Sequence, residues 1–377
     1  MPKVSIILPT YNRADTIMRA IKSVLAQTFT DWELVVVDDG SADDTAAIIT
    51  GLDPRITVIR QENRGFTEAR NTALRAARGA YCAFLDSDDE FLPHHLELCV
   101  AFLDAFPEEH FVSTELLEDF GHGRVVNHYR IETSTWYPRK AALIGSHCFD
   151  LPPGETDDYL RAYESREPIG DWGRHIIERI GPAQSAFLYR GHIFKHMRFD
   201  FMIAITASLI RRSVFETLGL PQARWLMGSD FHFLACMCKA FRANYLSIPT
   251  FVKHEFAADG GLPLYGHVVS GKSALAFARQ WQEAWDDLFW NEGPRDAELR
   301  AMRGLRLYWL ARVALNSGER ALTLRCLEET TAAIPRFWSA VALRGLLTCL
   351  PGVELPRKAL RAFERGARAY RRVVQIN

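Results

Sequence analysis

Residues 81–93 have the sequence YCAFLDSDDEFLP, and this stretch gives the strongest indication of the fold. Five apolar residues in a row are followed at once by Asp86-Ser87-Asp88-Asp89. A strand whose residues are all apolar, rather than alternately apolar and polar, is buried on both faces, as in a parallel sheet covered by helices. Such sheets bind ligands beyond the carboxyl ends of their strands. We therefore expect the acidic cluster at the ligand-binding edge of an α/β sheet.

The eighty residues before this stretch alternate between strand and helix patterns. Apolar runs at 4–8, 34–37 and 56–59 predict three more strands, the first ending at Pro9, and residues spaced three and four apart predict the helices between them. We expect Thr67 to cap the third of these helices. Two strands end in polar groups of their own, Thr10-Tyr11-Asn12-Arg13 and Asp38-Asp39-Gly40-Ser41. Because parallel strands have their carboxyl ends on one side, the three polar groups should meet.

The acidic cluster predicts a metal site. Asp86 and Asp88 are two residues apart at a strand end, so their side chains should point the same way. Two carboxylates that close repel each other unless a cation lies between them, and hard oxygen ligands suit Mg²⁺ or Mn²⁺, which often complete their shell with substrate phosphates. The alternative is a solvated acidic turn that caps the next helix.

Composition excludes several classes of protein. The 377 residues carry 45 basic and 46 acidic side chains, and 48% of them are hydrophobic, so the chain is neither disordered nor basic enough to indicate a nucleic-acid partner. No run of about 18 apolar residues predicts a transmembrane helix. The seven cysteines are odd in number and scattered, which is typical of reduced thiols in the cytoplasm. The length favours two domains.

The remainder of the chain has two different characters. Residues 111–198 show few periodic patterns, and regular ones return at 201–209, 212–218, 230–241 and 245–248. A linker is predicted at 257–263, and everything after it has helical spacing. Residues 294–377 contain 16 basic and 7 acidic side chains, and a final amphipathic helix carries Arg residues beside its apolar stripe. Such a helix can dock on an acidic domain, join two copies of the chain, or lie on an anionic membrane.

Four segments in order, VSIILPTYNR, VVVDDGSADDT, NRGFTEARNTAL and YCAFLDSDDEFLP, resemble the nucleotide-binding half of the family 2 glycosyltransferases. The resemblance is strong over residues 1–110 and continues weakly to about residue 255. It implies an α/β fold of the GT-A type, a Rossmann-like mixed sheet with helices on both faces. The implied organisation is a GT-A domain at 1–256, with a nucleotide-binding half at 1–110 and an acceptor half at 111–256 that has an insert at about 115–200, and a helical domain at 264–377.

The resemblance also implies roles for residues that match the family motifs. Asp38 would contact the nucleotide base, and Asp88 would be the principal metal ligand, with Asp86 beside it and near the ribose. The other positions implied for nucleotide-sugar binding are Pro9, Thr10, Tyr11, Arg13, Asn63, Arg70 and Ser87.

The catalytic base of the family is normally the second residue of a Glu-Asp pair. The matching segment here is Gly228-Ser229-Asp230, in which Ser229 replaces the usual Glu. Asp230 is therefore the predicted base, with a helix N-cap as the alternative for this residue. His254 follows the next predicted strand, where it is expected to be a further metal or phosphate ligand, or a surface histidine.

The function implied by the resemblance is inverting, metal-dependent sugar transfer. The expected donor is a nucleotide-sugar, of which a UDP-sugar is favoured, carrying a hexosyl or N-acetylhexosaminyl group. The expected acceptor is a hydroxyl of a glycan or lipid-linked molecule in surface polysaccharide synthesis, in the cytoplasm or at the inner face of the membrane. A nucleotidyltransferase is disfavoured because residues 9–13 contain no glycine. A non-catalytic nucleotide-sugar-binding protein is disfavoured because Asp86, Asp88 and Asp230 are all present.

Overall fold

The computed structural model describes ten stretches of the chain: residues 1–119, 121, 125–127, 137–142, 146–181, 186–199, 201–225, 228–254, 272–291 and 296–349. The chain divides into two compact units, Met1–Tyr265 and Gly266–Asn377. The predicted linker at 257–263 and the predicted final helix lie outside the described residues. The domain limits inferred from the sequence therefore stay a prediction.

Eleven strands of the first unit form one mixed sheet. They are β1 (Val4–Thr10), β2 (Trp32–Asp38), β3 (Ile56–Arg60), β4 (Tyr81–Phe84), β5 (Glu90–Phe91), β6 (Phe111–Asp119), β7 (Val125–Asn127), β8 (Ser165–Pro168), β9 (Phe187–Gly191), β10 (Ser208–Arg211) and β11 (Ala243–His254).

The helices of the first unit lie between these strands in the chain. They are α1 (Ile17–Leu25), α2 (Thr45–Ile49), α3 (Phe66–Ala76), α4 (His95–Ala105), α5 (Tyr137–Ala142), α6 (Asp171–Ile180), α7 (Arg212–Leu218) and α8 (Ser229–Ala240), with 3₁₀ turns at Asp158–Arg161 and Ile193–Arg198.

The sheet has a parallel half and a mixed half. Its strand order is β3-β2-β1-β4-β10-β6-β11-β9-β8, and β3, β2, β1 and β4 run parallel to one another. Strand β10 is antiparallel to both β4 and β6, whereas β11 runs parallel to β6. Nearly every residue of β1, β2 and β4 is buried, as continuous apolar runs predict. The predicted α/β class and the four parallel strands are confirmed.

Strand β1 continues through Pro9 to Thr10, beyond the end that the sequence predicts. The Ile7 carbonyl accepts a hydrogen bond from the Leu85 amide, 3.0 Å away, and the Thr10 carbonyl accepts one from the Asp39 amide at 2.9 Å. Residues of β1 therefore face β4 and β2 in turn, which puts Pro9 on the β4 side, past the last residue of that strand. A proline is tolerated there because β4 ends at Phe84, so its missing N–H removes no hydrogen bond to a residue of that strand.

The stretch from residue 111, which looks irregular in the sequence, begins with a central strand. Strand β6 lies between β10 and β11, and its first six residues are buried. Strand β9 pairs with β11, so part of the predicted insert belongs to the sheet. The alternation of polar and apolar residues that identifies a strand is absent here, because Ser113, Thr114 and Glu115 are buried and hydrogen-bonded within the protein.

The second unit is helical among its described residues. Its helices are α9 (Lys272–Trp285), α10 (Ala297–Asn316), α11 (Arg320–Ala333) and α12 (Trp338–Cys349), with a π-helical turn at Asp286–Trp290 after α9. Leu310, Leu327 and Leu343 from three successive helices contribute to one apolar core. No helix in the part of the chain that the structure describes is long and apolar enough to cross a bilayer.

Candidate functional site

The loops that follow β1 and β2 are tied to each other. The Asn12 amide donates to Ser41 Oγ at 2.9 Å, and Asn12 Oδ1 accepts from the Ala42 amide at 2.8 Å. The Arg13 amide donates to Thr45 Oγ1 at 2.8 Å. Asn12 has a φ of 50°, a conformation that asparagine tolerates better than most residues. The first two predicted polar groups therefore do meet at the carboxyl edge of the sheet.

Asp38 and Thr10 form the floor of this edge. They are register partners in β2 and β1, and both are buried. Asp38 Oδ1 accepts from the Ser41 amide at 3.0 Å, while Oδ2 lies 3.5 Å from Arg60 Nε. Thr10 Oγ1 is buried without a hydrogen-bond partner among the described residues. Buried polar atoms are normally hydrogen-bonded, so the Thr10 hydroxyl and Asp38 Oδ2 are suited to bind a polar group of a ligand.

The Asp39 carboxylate stabilises the loop that leads into α3, a role that the sequence does not predict. Its carboxylate accepts three hydrogen bonds, from Gln61 Nε2 at 2.8 Å and from the Arg64 and Gly65 amides at 2.9 and 2.8 Å. Asn63 lies in this loop and is exposed. The two aspartates therefore have different roles. Asp38 ends β2 at the edge of the sheet, whereas Asp39 stabilises the loop before α3.

The acidic cluster after β4 alternates in burial as the spacing predicts. The side chains of Asp86 and Asp88 are 37% and 22% exposed, whereas Ser87 and Asp89 are buried. Arg13 Nη2 lies 3.8 Å from Asp88 Oδ2, which connects this cluster with the loop after β1. Tyr11, in the same loop as Arg13, is exposed.

Electrostatics at this cluster favour a cation. Burial, together with the neighbouring charge of Asp86, raises the pKa of Asp88 above its ordinary value, although Arg13 acts in the opposite direction. Burial and the charges of Asp88 and Asp86 raise the pKa of Asp89 well above its ordinary value. Carboxylates in this situation gain from an added positive charge. The donor set of Asp86 and Asp88 therefore fits a hard divalent cation.

Arg70 joins the acidic cluster to the start of α8. Its guanidinium donates from Nη1 to both carboxylate oxygens of Asp230, each at 2.6 Å, and from Nη2 to Asp86 Oδ1 at 2.5 Å. The Arg70 side chain is only 3% exposed. Burial by itself would lower the pKa of Arg70, but the charges of Asp230 and Asp86 outweigh it and raise this pKa.

The first turn of α8 presents Asp230 at the site. Gly228 is the N-cap of this helix, with a φ of 97°, so the alternative that Asp230 caps the helix is wrong. Ser229 is buried, and its hydroxyl lies 2.8 Å from that of Thr67. Thr67 is also not a cap, because Gly65 holds that position in α3. The two helices are therefore joined twice, by this hydroxyl pair and by the ion pair of Arg70 with Asp230.

His254 lies at the end of β11, next to the acidic cluster. Its amide donates to Asp89 Oδ1 at 2.9 Å, and its ring nitrogens lie 3.3 Å from Glu90 Oε1 and 3.4 Å from Asp119 Oδ2. No three His, Cys, Asp or Glu side chains within the described ranges are grouped so that they could hold a metal ion by themselves. A cation at Asp86 and Asp88 would therefore depend on oxygens that a bound ligand brings.

A family of known proteins matches the first part of the chain. The family described as Glycosyl transferase family 2 matches residues 5–154, which include β1 to β7 and all three polar groups of the sheet edge.

Curated relatives match the same part of the chain. Chondroitin synthase of Escherichia coli is 45% identical over 112 residues, which are 29% of this chain and 16% of that protein. The E. coli protein UDP-Glc:alpha-D-GlcNAc-diphosphoundecaprenol beta-1,3-glucosyltransferase WfgD is 45% identical over 102 residues, which are 26% of this chain and 40% of that protein. The chain thus spans less than half the length of each of these relatives.

A solved structure resembles the chain over nearly its whole length. The crystal structure of S. aureus TarS 1–349 in complex with UDP has a TM-score of 0.53 and 18% identity, and the match covers 97% of this chain and 91% of that one. At this identity the similarity concerns the fold, and it confirms the predicted GT-A fold followed by a helical region.

Proposed function

Because residues 5–154 match glycosyl transferase family 2, we propose that this protein transfers a sugar from a nucleotide-sugar to a hydroxyl group, with inversion at the anomeric carbon. One observation carries the proposal. Asp86, one of two partly exposed carboxylates after β4, and Asp230 at the start of α8 share the buried guanidinium of Arg70. This arrangement supports the proposal, because such a transfer requires a cation-binding pair beside a proton acceptor.

The proposed donor is a UDP-sugar with a hexosyl or N-acetylhexosaminyl group. Support comes from the relative WfgD, whose name gives UDP-Glc as its donor. In this chain, Asp38 and Thr10 would bind the base and ribose from the floor of the site, with Pro9, Tyr11, Asn63 and Ser87 around them. Arg13 lies near Asp88, where its charge would face the donor diphosphate.

Asp230 is the proposed base. The acceptor oxygen forms a bond with the anomeric carbon while the bond from that carbon to the diphosphate oxygen breaks, and the hydroxyl proton passes to the Asp230 carboxylate. A divalent cation, Mn²⁺ or Mg²⁺, held by Asp88 and Asp86 would supply positive charge for the departing diphosphate. His254, which contacts the acidic cluster through its backbone, is proposed as a supporting residue at this cation site.

The proposed acceptor is a glycan or lipid-linked molecule of surface polysaccharide synthesis. The names of the two curated relatives support this class, since one is a chondroitin synthase and the other acts on a diphosphoundecaprenol-linked sugar. We propose that the protein works in the cytoplasm, with the basic C-terminal region contacting a second copy of the chain or the inner face of the membrane.

The test is a transfer assay with a set of UDP-sugars in Mn²⁺, which measures UDP release with and without glycan and lipid-linked acceptors. We expect one sugar to be used, and we expect Asp230→Asn to lower the rate by a factor of at least 100. Near-normal turnover of Asp230→Asn would show that another group accepts the proton. UDP release from none of the donors would contradict the proposed function.

A further inference from the structure

A single buried cation, Arg70, forms ion pairs with two carboxylates that come from distant parts of the chain. Asp86 follows β4 and Asp230 opens α8, yet each accepts a hydrogen bond of 2.5–2.6 Å from the same guanidinium. Both carboxylates are partly exposed, whereas Arg70 is buried. A ligand can therefore reach the two carboxylates, while the group that they share is kept from solvent.

The charges in this cluster do not balance. Two carboxylates face one guanidinium, so the three side chains together carry one excess negative charge. Phe66 and Phe84 lie against Arg70, with ring centroids 5.1 and 6.0 Å from its Cζ, and leave the guanidinium little freedom to move away. If the charge of one carboxylate changes, the strength of the ion pair between Arg70 and the other carboxylate must change as well. Opposite charges at this distance interact strongly in a buried environment.

We propose that Arg70 is a positioning residue that couples the donor side of the site, at Asp86, to the placement of Asp230. This inference rests on the proposed function, and it gives Arg70 a role different from that of a direct ligand of the donor. When Asp230 loses its charge, the guanidinium interacts with Asp86 alone, and an anionic diphosphate near Asp86 is repelled less. Coupling between sites is reciprocal, so a nucleotide near Asp86 also changes the hold of Arg70 on Asp230.

A lysine cannot replace Arg70 in this role. The guanidinium reaches the two carboxylates with two different nitrogens, whereas a lysine ammonium is one point charge on one nitrogen. Arg70→Lys therefore keeps the charge and removes the bridge.

The structure also supplies a matched control. Thr67 and Ser229 join the same two helices, α3 and α8, through an uncharged contact of 2.8 Å between their hydroxyls. Thr67 is one turn from Arg70 in α3. Thr67→Val removes the hydroxyl contact with Ser229 and leaves the ion pair of Arg70 with Asp230. The UDP affinity of this variant therefore shows how a weaker contact between α3 and α8 affects nucleotide binding when no charge is changed.

The test is a double-mutant cycle on the full chain, in which UDP affinity in Mn²⁺ is measured by calorimetry. We expect Asp230→Asn to tighten UDP binding at least 5-fold in the Arg70 protein and less than 2-fold in the Arg70→Lys protein. Thr67→Val should keep the 5-fold effect. If Arg70→Lys does not fold, Arg70→Gln, which keeps hydrogen-bond donors without the charge, replaces it in the cycle.

The outcomes that overturn the inference are distinct. An equal effect of Asp230→Asn with and without Arg70 would show that Asp230 acts on UDP directly, and no effect in either protein would show that the sites are independent. A loss of UDP affinity of 10-fold or more in Arg70→Lys alone would make Arg70 a ligand of the donor. Failure of the wild-type protein to bind UDP would instead overturn the proposed function, and this inference with it.

Discussion

At the scale of single residues, the acidic cluster shows how much environment decides the role of a side chain. Asp86, Asp88 and Asp89 share one chemistry and lie within four residues, yet two of them reach the open edge of the sheet and the third is buried against the His254 backbone. Residues 87–88 form a turn closed by a hydrogen bond of 3.1 Å from the Asp89 amide to the Asp86 carbonyl, so the burial of Asp89 follows from this turn and from its bond to the His254 amide. Only the two exposed carboxylates can meet a ligand.

Asp88→Asn should remove cation-dependent binding. We expect this variant to lose the increase in UDP affinity that Mn²⁺ produces in the wild-type protein, and to lower transfer at least 100-fold, because the amide leaves a single carboxylate at the site. Calorimetric titrations of UDP with and without Mn²⁺ measure the first effect. Asp230→Asn is the matched variant, which should lose transfer without weaker UDP binding. A Mn²⁺ effect of full size in Asp88→Asn would place the cation elsewhere.

Asp39→Asn should destabilise the first unit. The Asp39 carboxylate accepts two backbone hydrogen bonds and one from Gln61, and an amide at this position turns one acceptor into a donor that faces another donor. The expected loss is about 1–3 kcal/mol in the free energy of unfolding, measured by urea titration. Asp44→Asn, at an exposed position in the same loop, should change it by less than about 0.5 kcal/mol. Equal stability of the two variants would contradict this account.

At the scale of elements, helix α4 is attached to the sheet through a buried histidine. His95 is fully buried at the first residue of α4, and its Nδ1 lies 2.7 Å from Thr250 Oγ1 in β11. The ring stacks on Phe91 of β5, with centroids 4.1 Å apart. Burial, with a smaller contribution from His94, lowers the pKa of His95 to about 3. The imidazole is therefore neutral in the folded protein over the physiological range.

This histidine predicts a loss of stability in mild acid. An unfolded histidine takes up a proton near pH 6.5, whereas folded His95 does so only near pH 3, so the unfolded state binds more protons between these values and the free energy of unfolding falls as the pH is lowered through them. From pH 6.5 to 5 this one group contributes a decrease of up to about 2 kcal/mol.

His95→Asn tests this prediction, because the amide can still bond to Thr250 and does not titrate. Urea titrations at pH 6.5 and 5 should show a smaller decrease in the free energy of unfolding than in the wild-type protein. His175→Asn is the control, since His175 is exposed on α6 and its replacement should leave the decrease unchanged. If His95→Asn keeps the full decrease, other groups are responsible for it.

At the scale of the whole molecule, the near-zero net charge hides an asymmetry. The chain has a net charge of −1, but residues 294–377 alone have 16 basic and 7 acidic side chains, so the rest is acidic. A basic region can be attracted to an acidic protein surface or to anionic lipid. The excess of basic side chains therefore lies within the second unit.

Sedimentation with vesicles separates these two uses of the basic region. If the basic segment contacts protein rather than lipid, we expect the full chain and a chain that ends at Pro351 to pellet equally with phosphatidylglycerol vesicles. The fraction of protein in the pellet is measured at low and at physiological salt, with neutral vesicles as the control. Pelleting of the full chain alone would show that the basic segment binds the membrane.

Local sequence patterns are sufficient to predict the parallel half of the sheet and the edge at which its polar groups meet. Continuous apolar runs that end in polar groups are local patterns, and a strand buried on both faces produces them wherever its neighbours lie. For the same reason Asp38, Asp86 and Asp88 could be predicted as site residues. The family motifs added Asp230, whose position in the first turn of α8 agrees with a role at the same edge.

The contacts that join these residues are visible in the tertiary structure and could not be predicted from the sequence. The bridge of Arg70 between Asp86 and Asp230 spans segments 144 residues apart, and no local pattern encodes which carboxylates a buried arginine will meet. Strand β6 was hidden because its buried Ser113, Thr114 and Glu115 find partners in other segments, which removes the apolar signal of a central strand. Long-range pairing sets these contacts, and pairing depends on the register of the whole sheet rather than on the residues of one strand.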